Sequence, residues 1–167
     1  MLQRATAVDP NPTSSNMPVN IAIVRAKLQS ALGNHEAARA TIQAARVLQM
    51  QRPSGVWRDQ DLAAYEARFC VRQGNWAEAE QLLNEAEKEE GHAMSELVRA
   101  EILMLQKQTA AAEALLTRFI EQYPFGFPNE PSMDARVLLS LALFEQHKMN
   151  QARQALAETI RLAAPER

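Results

Sequence analysis

Small and aliphatic residues recur along this chain in one fixed register. Alanines stand at Ala38, Ala79, Ala112 and Ala152, spaced 41, 33 and 40 residues apart. Four residues after each comes an aliphatic side chain, at Ile42, Leu83, Leu116 and Leu156. Twelve residues before each comes another small one, at Ala26, Ala67, Ala100 and Ser140. Four residues make about one helical turn, so each alanine and its aliphatic share a face. A small residue in one helix opposite a small residue in the next lets the two backbones approach, while the aliphatic fills the seam. Four hits at three offsets are hard to obtain by chance, even in an alanine-rich chain. A helix, a tight turn and a second helix, repeated at roughly 34 residues, is the pattern of a helical repeat array.

The turns fall between the paired positions, at Gly33-Asn34, Gly74-Asn75, Lys107-Gln108 and His147-Lys148. Eight helices follow. The first runs from about Pro18 to Leu32 and the second from His35 to about Gln51. The third, with Asp59 as N-cap, reaches Gln73, and the fourth runs from Trp76 to Glu90. The fifth spans His92 to Gln106 and the sixth Thr109 to Tyr123. The seventh, capped by Ser132, ends near His147, and the eighth spans Asn150 to Ala163. These make hairpins at about 18–51, 59–90, 92–123 and 132–163 within a repeat domain of residues 17–167. The breakers Arg52-Pro53-Ser54-Gly55 and Pro124 to Pro131 account for the two longer spacings. Residues 1–16, rich in Pro, Ser, Thr and Asn, read as a flexible arm or linker. The fold class is all-α, with no room for a sheet.

Composition narrows the function. The chain has 167 residues, enough for a sizeable core, and a net charge of −2 that offers no basic surface for a phosphate backbone. No apolar run approaches the roughly 20 residues of a membrane span, and the N-terminus lacks the apolar block of a secretory signal. A single cysteine, Cys70, cannot form an internal disulfide, which suits a reducing cytoplasm. It reads as a small buried hydrophobe rather than a nucleophile. His35 and His147 fall at turns and His92 opens a helix, so no metal-ligand pair forms. No cofactor is expected in this chain, and no acid, base and nucleophile converge. The run Glu87-Lys88-Glu89-Glu90 ends the fourth helix; its three acids oppose the helix dipole and read as a solvated end, with a docking patch as the alternative.

The motif Gly74-Asn75-Trp76-Ala77-Glu78-Ala79, followed by Leu82, Leu83 and Ala86, resembles the second helix of a tetratricopeptide repeat. That resemblance covers nearly all of residues 18–163 and implies a right-handed α-α superhelix of about four hairpins. Departures are the missing turn glycines at Lys107 and His147 and the uneven closing prolines Pro53, Pro124 and Pro165. The C-terminal stretch Gln154 to Glu166 is similar to the end of the sensor region in MalT-type regulators, the large ATP-dependent LuxR-family transcription factors. The first helix, Asn20 to Leu28, fits the same region. The resemblance implies an NTPase module upstream and a helix-turn-helix downstream; no GxxxxGK[ST] loop occurs in this chain. DNA and ATP would then be contacted only through those other domains.

In such arrays the first helix of each pair lines the concave face, which the resemblance gives to Lys27, Arg68, Glu101 and Leu141. One turn on come Ser30, Val71, Met104 and Phe144, with Arg72 and Glu145 beside them. The face is basic near the first two hairpins and more apolar and acidic toward the last two. It is expected to take a peptide segment or a small effector whose acidic group meets Arg68 and Arg72; ordinary solvated side chains are the alternative. Trp76 is expected to fill a gap between helices. Trp57, in the linker before the third helix, and Phe125 and Phe127, between prolines, either pack back on the array or face a partner. If the array is cut from a longer one, Leu156, Ile160 and Leu162 on the eighth helix lose a neighbour and weak self-association follows. The expectation is a cytoplasmic ligand- or protein-binding sensor domain of a MalT-like regulator, with a free-standing adaptor as the alternative and an enzyme as a distant third.

Overall fold

The computed structural model describes residues 17–50, 56–86, 93–124 and 131–164. Among them are eight helices and no strand: α1 (Met17–Ala31), α2 (His35–Met50), α3 (Val56–Arg72), α4 (Trp76–Ala86), α5 (Ala93–Leu105), α6 (Thr109–Gln122), α7 (Pro131–Glu145) and α8 (Met149–Ala163). None is long and apolar enough to cross a membrane. The arm at 1–16 and the acidic run at 87–90 lie outside the described residues.

Each hairpin is closed by the same backbone turn. Asn34 N–H donates to Gln29 O at 2.8 Å and Gly33 N–H to Ser30 O at 3.0 Å, the paired bonds of a Schellman motif. Asn75 with Gly74, Gln108 with Lys107, and Lys148 with His147 repeat the pattern. The motif needs a left-handed residue, and Gly33 and Gly74 supply it at φ 82°. Lys107 and His147 adopt φ 60° at the equivalent positions, so the missing glycines change the strain but not the turn.

The chain divides into two compact units, Met1–Glu90 and Gly91–Arg167, each holding two hairpins. In the first unit α1 packs on α2, α2 on α3, α3 on α4, and α1 reaches α3. In the second, α5 packs on α6, α6 on α7, α7 on α8, and α5 reaches α7. Within both, the alanines and the small residues opposite them are buried, as are Ile42, Leu83 and Leu116. Leu156 is the exception: 44% exposed on α8, with Ile160 exposed and Leu162 half-buried beside it. Val24 and Leu28 on α1 are likewise exposed, although Tyr65 and Phe69 at the same register of α3 are buried. The positions that give α3 two covered faces leave α1 with one.

Two helix starts differ from expectation. Helix α3 begins at Val56, three residues before Asp59, because nothing after Gly55 interrupts a helix; Trp57 therefore belongs to its first turn and not to a linker. Helix α7 begins at Pro131, whose missing N–H costs nothing in a first turn. Ser132 thus lies inside the helix, buried, with its Oγ unpaired, and is not a cap.

Candidate functional site

The expected site residues fall into two groups, one in each unit. In the first, Lys27 and Arg68 are half-buried and Arg72 is exposed. The Lys27 ammonium lies 5.2 Å from the centroid of the Tyr65 ring, a cation–π contact joining α1 to α3. Arg72 Nη1 donates across the same gap to Ser30 Oγ at 3.4 Å, and that oxygen lies 3.0 Å from His35 Nδ1. Ser30 is therefore buried and spent on its neighbours, and Val71 is buried as well; neither forms part of an open face.

In the second unit Glu101 and Met104 are half-buried, while Leu141 and Phe144 stand out from α7. Val137, which the sequence reading passed over, completes the row: Val137, Leu141 and Phe144 share one helix face and are 43%, 49% and 55% exposed. Their spacing of four and three residues was the signal that could have found it. Glu145 ends the row but is not a free acid, because Lys107 Nζ donates to its carboxylate at 3.2 Å. Lys107 reaches it from the turn between α5 and α6, so the left-handed residue that closes one hairpin also pins the next.

The aromatic candidates divide. Trp76 is 39% exposed at the start of α4, more open than a residue that fills a helix gap would be. Phe125 and Phe127 lie outside the described residues. Burial pushes the Cys70 thiol up to about 11, which leaves it protonated near neutrality. Among the described residues no group of three His, Cys, Asp or Glu side chains could hold a metal ion.

Among the described residues the most buried charge, Glu66, is one the sequence pattern does not mark. Glu66 on α3, only 3% exposed, accepts from Gln43 Nε2 at 2.7 Å and from Arg46 Nη1 at 2.6 Å, both on α2. Arg39 Nε stands 3.6 Å away, and the same arginine is ion-paired to Glu78 on α4. This clamp fixes α2 against α3. Comparison with known proteins returned no matching family model, no matching curated protein and no matching solved structure.

Proposed function

We propose that this chain is a cytoplasmic binding module that takes an apolar segment of a partner protein onto the α7 face, and that it serves as the sensor part of a regulator similar to the MalT type. The Val137–Leu141–Phe144 row carries the binding role. Withdrawing the exposed halves of three such side chains from water contributes on the order of 3 kcal/mol. A helix or extended segment with apolar residues at matching spacing supplies the partner surface. The Lys107–Glu145 pair forms a polar edge that fixes where such a segment ends. A small effector with an acidic group would instead use the exposed guanidinium of Arg72 and its neighbour Arg68, four residues apart on α3. The regulator context rests on the likeness of residues 154–166 and 20–28 to that family. The open α7 row would serve a free-standing adaptor equally well.

Two experiments decide. The double variant Leu141→Glu/Phe144→Ser changes only exposed side chains, so its fold should persist while partner capture is lost; capture unchanged in a folded variant overturns the α7 assignment. Sequencing the parent reading frame separates the two contexts: a phosphate loop upstream and a helix-turn-helix downstream support the regulator. A frame without them leaves the adaptor.

A further inference from the structure

Aligned on their marker alanines, the α2–α3 seam and the α6–α7 seam carry different chemistry at the same three positions. Where the first has Gln43, Arg46 and Glu66 joined by hydrogen bonds, the second has Thr117, Ile120 and Leu139. None of these three can bridge the seam as the clamp does. At that place a cleft of about 300 Å³ opens among α6, α7 and α8.

Its walls combine an apolar patch with separated charges. Ile120, Leu139 and Ala155 are half-buried and line it. Arg136 lines it too, its side chain only 15% exposed, with Nη1 3.6 Å from Glu158 Oε1 and with Nε buried and without a hydrogen-bond partner. The 3.6 Å gap to Glu158 is longer than a hydrogen bond, so the terminal guanidinium nitrogens, and not the buried Nε, are what Arg136 offers to a ligand in the cleft. The two terminal nitrogens of a guanidinium offer parallel donors to a carboxylate. Glu121 and Glu158 flank the same space. One cation facing two carboxylates repels a simple anion and attracts a molecule that brings its own positive charge. The Thr159 hydroxyl is spent on Ala155 O at 2.7 Å, so the wall offers little to a polyol. The volume is at the lower end of ligand clefts, about 300–1,000 Å³, which limits the occupant to a small molecule.

We infer that this cleft binds a free α-amino acid with a branched aliphatic side chain. Its carboxylate meets Arg136, its ammonium meets Glu158 and Glu121, and its side chain lies against Ile120, Leu139 and Ala155. The site is separate from the α7 row and stands whether or not a protein docks there.

The test is an amide chemical-shift titration of the full chain with L-leucine. Saturable shifts confined to α6, α7 and α8 are expected. Glycine, 4-methylpentanoate and 3-methylbutylamine, which lack the side chain, the ammonium and the carboxylate in turn, should each bind about tenfold or more weakly. Arg136→Gln should weaken leucine binding by a similar factor. Ile120→Arg/Leu139→Glu, which installs the residues of the other seam, should abolish it while the amides of α1 to α4 keep their positions. Absence of saturable shifts in the wild type overturns the proposal, as does leucine binding unchanged in the folded double variant. A single-charge analogue that binds as tightly as leucine overturns the zwitterion assignment, and this series decides without any variant.

Discussion

The two units solve one packing problem in two ways. Both place a small residue against a small residue so that the two helices of each hairpin approach closely, and both close their hairpins with the same turn. The first then fills its seam with a carboxylate held by an amide and two arginines, while the second leaves an apolar cleft with an arginine at its side. Close approach of backbones is set by the small residues, and the side chains beside them are free to hold the seam shut or to leave room. The turns teach the same lesson in the backbone: glycine relieves the left-handed position in the first unit, and Lys107 and His147 bear its cost in the second.

The largest effect should come from the clamp. Glu66→Ala leaves the arginines without their shared carboxylate and should cost about 3 kcal/mol of stability in urea denaturation. Replacing Gln43, Arg46 and Glu66 together by Thr, Ile and Leu, the residues of the other seam, should recover most of that loss. A triple variant as unstable as the single one would break the equivalence of the two seams. Next come the aliphatics at one register position. Leu83→Ala should cost about 3 kcal/mol, and Leu156→Ala, on a side chain already 44% exposed, under about 1 kcal/mol. Equal losses would mean that α8 is covered in solution, which sedimentation would register as self-association.

The turns predict smaller changes of opposite sign. Gly33→Ala meets no atom within 4 Å and suffers only from its positive φ, so it should lose about 1 kcal/mol. His147→Gly should gain up to about 1 kcal/mol by removing the same strain, read as a shift in thermal midpoint. The smallest effect concerns Glu113. A hydrogen bond from Lys148 Nζ at 2.7 Å, aided by Gln146, holds its carboxyl below the ordinary value of 4.5. A carboxyl depressed in the folded state contributes stability above that value and loses it as pH falls through its folded pKa. Glu113→Gln should therefore lower stability slightly at neutral pH, leave it unchanged in acid, and so flatten the acid limb of the stability curve.

The sequence made the hairpins legible because their register is local: Ala79 and Leu83 lie four residues apart on one helix, and periodicity needs nothing else. The clamp was not legible, because Gln43 and Arg46 meet Glu66 across a seam about twenty residues away and only the packed helices bring them together. The turns at Lys107 and His147 were placed by the repeat register, while residue type gave no sign of their left-handed backbone, which the hydrogen bonds of the turn impose. Ser132 looked like a cap because it precedes a helical run, yet Pro131 starts that helix one residue sooner. The face of α7 was half visible, with Leu141 and Phe144 taken from the family pattern and Val137 not among them.

Heat should pull the two seams apart. The desolvation penalty of ion pairs falls as water warms, while the gain from apolar burial levels off. The Glu66 clamp therefore holds a growing share of what keeps α2 on α3 as temperature rises. The α6–α7 seam relies on the Glu113–Lys148 pair, whose carboxylate is 25% exposed against 4% for Glu66, so it gains less on warming and should loosen first.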